Sequence, residues 1–310
     1  MNTRRIFVTG ASGFVGRAIV RALSIIDDVE VIAGVRKADS IAKHSGEVAL
    51  IDITQRADLN GVLSRLRPDV VINAVAYGVR PDQYETERAV MVNTVGALHL
   101  LESAASAGCG RFIQLGSCSE YGSREGIVHE DMLSTPTTIY GATKAAATVL
   151  VHERGNSLGL DTVILRLFNL WGEEEPSHRL FPDLLSACRE KRPLKLTDGR
   201  QLKDYSYIGD VAEWITDLAL KQEKLDAGII NIGSGQALSV RDFVLRIARR
   251  LGGEDLLRFG AIQNRGYEAR GQTPDLGKLE NLLPDRRIMP LENALDQVLS
   301  FEYPGDIKTL

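Results

Sequence analysis

Short apolar runs alternate with amphipathic stretches through the first half of this chain. The runs are Arg5–Thr9, Val29–Val35, Val48–Ile51, Val70–Asn73, Arg111–Gly116 and Asp161–Leu167. Most are β-branched and lack polar alternation, which predicts strands buried on both faces, as in a parallel sheet. Between them, Gly13–Ile25, Gln55–Leu66, Gln83–Ala107 and Tyr140–Leu158 carry helical spacing. Such alternation predicts an α/β chain with a doubly wound parallel sheet, its strand C-termini sharing one ligand-binding edge.

The pattern breaks after Asn169. Glu173–Glu175, Pro176, Pro182, Pro193 and Asp198-Gly199 interrupt it. Helical spacing returns at Val211–Leu220, Val240–Leu251 and Leu291–Leu299, with a short strand at Ile229–Ile232. The expected division is a first domain over 1–168, with roughly 207–232 returning to it. A smaller mixed region is built from 169–206 and 233–310. No Gly/Ser or Pro linker separates them, and there is no internal repeat.

Chemistry enters with Thr9-Gly10-Ala11-Ser12-Gly13-Phe14-Val15-Gly16, which follows the first strand and opens a helix. Gly10 permits a tight turn, Gly13 lets the backbone approach a pyrophosphate, and Gly16 lets the helix pack closely on the sheet. The helix N-terminus then offers free N–H groups to phosphate. In this strand–loop–helix context the glycines predict a dinucleotide-binding, Rossmann-type sheet, with Gly10, Ser12, Gly13, Phe14, Val15 and Gly16 at the cofactor. The second strand ends in Gly34-Val35-Arg36-Lys37, with no acid to hold a ribose 2′-hydroxyl. Arg36 could instead clamp a 2′-phosphate, which favours NADP(H) over NAD. Asp52, beside Ile53 past the third strand, is placed either at the adenine amino group or at the N-cap of the next helix.

Tyr140-Gly141-Ala142-Thr143-Lys144 puts Tyr140 and Lys144 on one helix face at i,i+4 spacing. A nearby ammonium favours the phenolate, so Tyr140 is expected to exchange protons near neutral pH. Gly116-Ser117-Cys118-Ser119-Glu120-Tyr121 lies just past the fifth strand, on the same edge, where Ser117 can orient a carbonyl toward Tyr140. Ser117, Tyr140 and Lys144 are the predicted catalytic set.

Composition removes other classes. With 310 residues, 44% hydrophobic, 25% charged and a net charge of −4, the chain lacks the basic excess that draws nucleic acid or anionic membranes. No apolar window is long enough to span a bilayer. Three scattered cysteines make neither a disulfide framework nor a metal box, and a reducing, cytoplasmic setting is expected.

Taken together, these motifs resemble the extended short-chain dehydrogenase/reductases that act on nucleotide-diphosphate sugars. The resemblance runs nearly the whole chain. It includes TGASGFVG, Asn73-Ala74-Val75-Ala76, Asn93-Thr94-Val95-Gly96, the serine segment and YGATK. Leu165-Arg166-Leu167-Phe168-Asn169, Lys203-Asp204-Tyr205 through Asp210, and Asn231-Ile232-Gly233-Ser234-Gly235 extend it. It implies that Ala74, Val75 and Ala76 line the cofactor, that Lys144 also reaches the nicotinamide ribose, and that Asn93 holds an active-site water through its backbone. It further implies that Asn169 and Arg265 contact the sugar diphosphate. Tyr77 would border the sugar. Lys203 stands where many relatives carry Arg, and a point charge cannot reproduce a bidentate contact. Relatives often dimerise through two long helices, here Gln83–Ala107 and Tyr140–Leu158.

The resemblance leaves several reactions to weigh. Dehydratases of the family place an Asp-Glu pair after the hydroxyl residue, whereas this chain has Cys118 and Ser119, and Glu120 is displaced to the other side of an extended segment. The favoured expectation is an NADPH-dependent reductase of an NDP-4-keto-6-deoxyhexose. A 4-epimerase holding NAD(P) is the alternative, and a non-catalytic NADP(H)-binding sensor a second one.

Overall fold

The structure, a computed structural model, describes residues 3–41, 46–80, 82–263 and 271–303. In chain order the first half holds β1 (Arg4–Thr9), α1 (Phe14–Ser24), β2 (Val29–Val35), β3 (Glu47–Leu50), α2 (Arg56–Leu66), β4 (Val70–Asn73), α3 (Thr86–Val90), α4 (Gly96–Ser106), β5 (Arg111–Ser117), β6 (Gly126–Val128) and α5 (Ile139–Leu158). Then come β7 (Asp161–Leu167), β8 (Asn169–Trp171), α6 (Leu180–Glu190), β9 (Leu194–Lys195), β10 (Leu202–Tyr207), α7 (Ile208–Leu220) and β11 (Ile229–Ile232). The last elements are β12 (Ala237–Ser239), α8 (Val240–Arg250), β13 (Leu257–Arg258), β14 (Gly271–Pro274), α9 (Gly277–Leu282) and α10 (Leu291–Glu302).

Seven parallel strands form the main sheet in the order β11-β7-β5-β4-β1-β2-β3. Successive residues of each strand feed opposite apolar layers. Ile6 and Val8 pack with α1 and α7, while Phe7 packs with α2 and α4. Both faces are covered, which is why the strands read as unbroken apolar runs. Strand order reverses beside β1, and the crevice opens there. A second sheet runs β12-β10-β14-β6, with β8 beside β10.

The chain returns to complete the main sheet. β11 pairs in parallel with β7, from Ile229 opposite Ile164 to Ile232 opposite Leu167. Arg111, at the start of β5, is buried and pairs with Asp161 at 2.7 Å. The same guanidinium donates to the Leu218 and Lys221 carbonyls at 2.8 Å, and Arg4 donates to Leu220 at 2.8 Å. These two arginines satisfy carbonyls that the last turn of α7 leaves unpaired, pinning that helix to the sheet.

One predicted helix is built differently. Residues 83–85 are not helical, and between α3 and α4 the segment Met91–Val95 is a π turn, with Gly96 N–H bonded to the Met91 carbonyl. The extra residue turns Asn93 inward, as discussed below. On the outer side, Val90, Met91, Val149 and Leu150 are 41 to 61% exposed. Among the described residues, no helix is long and apolar enough to cross a membrane, and no cluster of ligating side chains could hold a metal.

Candidate active site

A cleft of about 1280 Å³ opens at the C-terminal edge of the sheet. Its floor begins at Gly10, with φ +68°, where a Cβ would lie 2.8 Å from the Ala74 carbonyl carbon. Gly13 is the N-cap of α1, with no side-chain cap and no acid in the first turn, so the helix N–H groups face the cleft uncompensated. Ser12, Gly13, Phe14 and Val15 line the cleft. Gly16 does not. It lies beneath the loop, where a Cβ would overlap the Gly10 carbonyl, so it packs helix against loop rather than against the sheet. A dinucleotide pyrophosphate fits this cradle, because each space a side chain would fill is held open by a glycine or by bare backbone.

Past the ends of β2 and β3, Arg36, Asp52 and Ile53 line the cleft, as do Ala74, Val75, Ala76 and Tyr77. Asp52 is not the N-cap of α2, a place taken by Gln55. Its carboxylate instead accepts from the Thr54 N–H at 2.9 Å and the Thr54 hydroxyl at 2.7 Å. Burial would raise its pKa, but those bonds and the charges of Arg36 and Arg88 outweigh it and hold the carboxyl below its ordinary value. Arg88 also lines the cleft, with its guanidinium 5.5 Å from the Tyr77 ring centroid. Sequence spacing offered no sign of Arg88, which looks like any exposed charge on a helix.

Asn93 is absent from the cleft wall. Its side chain accepts from the Tyr77 N–H at 2.8 Å and donates to the Tyr77 carbonyl at 2.8 Å and to Thr143 at 2.9 Å. The π turn thus makes Asn93 a brace between the Tyr77 loop and α5, rather than a side chain facing ligand.

Ser117, Tyr140 and Lys144 all line the cleft. Thr138 caps α5 by accepting from the Gly141 N–H at 3.0 Å. Gly141 carries no Cβ to strike the Ser119 carbonyl, so the head of α5 sits directly on the serine turn. Cys118–Tyr121 is a 3-10 turn, not the extended strand expected, and Ser117 caps it by accepting from the Ser119 N–H at 3.1 Å. The Ser117 proton is then free to donate to the Tyr140 phenol oxygen. Glu120 does turn away from the cleft, but because of that turn. It is fully buried.

Burial pushes the Tyr140 phenol up to about 12, opposed by the Ser117 hydrogen bond and the charge of Arg179. Burial pulls Lys144 down to about 8, opposed by Glu120. The expectation that Lys144 makes this phenol acidic is therefore corrected for the protein alone. Its ammonium donates to the Leu115 carbonyl, and Arg179 is a cation that favours the tyrosinate. Arg179 lies in the 172–179 segment, paired with the buried Glu175 at 3.1 Å and over the Phe14 ring. Nothing local in the sequence marked it.

On the substrate side, Asn169 lines the cleft but Lys203 does not. Lys203 sits in β10 between β12 and β14, close enough to favour the Cys118 thiolate against burial. Tyr205 stacks on Phe243 at 3.8 Å and so packs rather than facing ligand. Arg265 lies outside the described residues.

A family model described as the NAD dependent epimerase/dehydratase family matches residues 6–233, ending just as β11 completes the main sheet. The chain belongs to that family. It is thus an extended short-chain dehydrogenase/reductase of the nucleotide-sugar type, an NAD(P)-dependent enzyme. A UDP-glucuronate 4-epimerase of Thermodesulfobacterium geofontis is 28% identical over 95% of this chain and 94% of its own. A dTDP-6-deoxy-L-talose 4-dehydrogenase (NAD(P)(+)) of Kitasatospora kifunensis is 28% identical over 77% of each. The Bacillus cereus UDP-glucuronic acid 4-epimerase, solved with UDP-glucuronic acid and NAD, superposes with a TM-score of 0.86 at 26% identity, covering 96% of this chain and 98% of that one.

Proposed function

We propose that this family member is an NAD(P)-dependent 4-epimerase of a nucleotide-diphosphate sugar. The observation that carries this reading is the end-to-end similarity to 4-epimerases in both sequence and structure. It displaces the ketoreductase expectation as the main reading. The cleft is consistent with it, since no carboxyl group follows Ser117 into the cleft to serve as a dehydration acid or base, and Glu120 is withdrawn.

A nicotinamide bound in the cleft supplies the hydride acceptor and donor. The protein's part is proton traffic and orientation. Tyr140 would act as tyrosinate, the form that Arg179 and the Ser117 hydrogen bond favour and that a bound cationic nicotinamide would favour further; it would take the proton of the sugar 4-hydroxyl as the carbonyl forms and return it after the sugar has turned its other face. Ser117 donates to the reacting oxygen or to the phenol, steadying charge between the two. Lys144 would hold positive charge toward the cofactor ribose, and Asn169, which lines the cleft, would meet the diphosphate. Incubating the protein with NAD and UDP-sugars should interconvert a pair of epimers with no net change in nicotinamide absorbance. Stoichiometric consumption of NADPH would sink this reading.

The reductase reading stays as the second, because Arg36 lines the adenosine end where an acid would select NAD. Arg36→Glu should weaken NADPH binding about 10- to 100-fold, the worth of one charge-assisted contact. Equal NADPH affinities by titration calorimetry would remove Arg36 from cofactor choice.

We also propose a homodimer through the exposed Val90 at the end of α3, Met91 in the π turn after it, and Val149 and Leu150 on the adjacent α5. Paired Val149→Asp and Leu150→Asp changes should convert it to a monomer in sedimentation. A wild-type monomer would exclude that interface.

A further inference from the structure

Beneath the three residues of the site lies a carboxylate for which proton transfer has no obvious use. Glu120 is wholly buried. One oxygen accepts from the Ser117 backbone N–H at 2.8 Å. The other accepts from the Thr148 hydroxyl at 2.9 Å and from Arg166 at 2.9 Å. Thr148 stands one helical turn after Lys144 on α5. Arg166 belongs to β7, opposite Gly116 of β5. Its guanidinium is held in turn by the Glu130 carbonyl, the Ser134 hydroxyl and the Tyr121 ring. Gly116 leaves the room, since a Cβ there would come within 2.7 Å of the Glu120 carboxylate.

A charge pair that served only to fill the core could stand anywhere along β5 and β7. This one grips the backbone of the residue that must present its hydroxyl, and it ties that residue to the helix carrying the phenol and the ammonium. We propose that Glu120 is the positioning residue of this site: anchored by Arg166 and Thr148, it aims the Ser117 hydroxyl at Tyr140 and places a negative charge under Lys144. The inference rests on the reading of Tyr140 as the acid–base group.

The groups acting on Tyr140 include Ser117 at the end of β5, Cys118 and Glu120 on the turn that follows, and Arg179, with Lys144 on its own helix. Lys144 faces the Leu115 carbonyl and Glu120. The Glu120 charge disfavours tyrosinate and favours ammonium, so both groups should titrate at lower pH once it is gone.

Glu120→Gln keeps the volume and an oxygen for the Ser117 N–H while removing the charge. We expect kcat to fall on the order of 10- to 100-fold with KM within about twofold, as for a misaimed catalytic group. The tyrosinate absorbance of each protein, minus that of the same protein carrying Tyr140→Phe, should show the Tyr140 midpoint moved to lower pH. This titration needs no substrate, so it stands or falls independently of whether the enzyme epimerises any sugar. An unmoved midpoint, with activity lost only in step with melting temperature, would reduce Glu120 to a packing role. If the buried Arg166 charge prevents Glu120→Gln from folding, the Thr148 pair decides. Thr148→Val should lower kcat severalfold and Thr148→Ser should restore it; wild-type kcat in Thr148→Val overturns the proposal.

Discussion

Tyr140→Phe should lower kcat by about 10²- to 10⁴-fold while leaving dinucleotide affinity within about twofold, the span that general acid–base catalysis contributes. The change removes one oxygen at the head of α5 and nothing that supports the fold. The aromatic ring keeps its place beside Gly78, whose missing Cβ would sit 3.5 Å from the Tyr140 Cβ. Its neighbours on the serine turn and on α5 offer no replacement. Lys144 is committed to the Leu115 carbonyl, Glu120 is sealed below, and burial pushes the Cys118 thiol up to about 12. Stopped-flow turnover beside a cofactor titration separates the two effects. A Phe variant that retained more than about a tenth of wild-type kcat would remove the phenol from the chemistry.

The second large effect is expected at Gly16. A Cβ there would lie 2.8 Å from the Gly10 carbonyl carbon and closer still to its oxygen, and both are backbone atoms that cannot swing aside. Gly10 is itself hemmed in by the Ala74 backbone. Gly16→Ala should therefore displace the whole phosphate loop, weakening dinucleotide binding by about 100-fold or more and costing about 1–3 kcal/mol of stability. The control is Gly61→Ala in α2, where nothing lies within 4 Å. It should stabilise by about 0.5–1 kcal/mol and leave binding alone. Similar cofactor affinity in Gly16→Ala and wild type would mean the loop tolerates a shift that its geometry denies.

Much of the fold could be read beforehand because the relevant signals are local. The central strands of the main sheet are buried on both faces, so Phe7 between Ile6 and Val8 needs no polar interruption. The glycine loop and the Tyr140–Lys144 pair are likewise short-range patterns. What escaped depends on residues far apart in sequence. The π turn follows from Asn93 meeting Tyr77 and Thr143, sixteen and fifty positions away. Alternation puts Glu120 on an extended segment, yet the capping box with Ser117 curls that segment into a 3-10 turn. Arg179 reaches Tyr140 only because the 172–179 segment folds back over Phe14. Motif register alone puts Lys203 on the substrate side, but the pairing of β10 with β12 and β14 carries it off the cleft wall. The preference for a reductase rests on one strand end, where Arg36 stands and an acid does not, set against likeness along the whole chain.

The late arrival of β11 has a consequence for biosynthesis. β7 is buried along its whole length, yet its outer partner lies some sixty residues downstream. A nascent chain that has just left the ribosome at Leu167 carries a bare apolar edge, the kind that recruits other chains. Translation must run past Ile232 before that edge is closed. A chain stopped after Phe168 should aggregate, whereas one carried beyond β11 should stay dispersed.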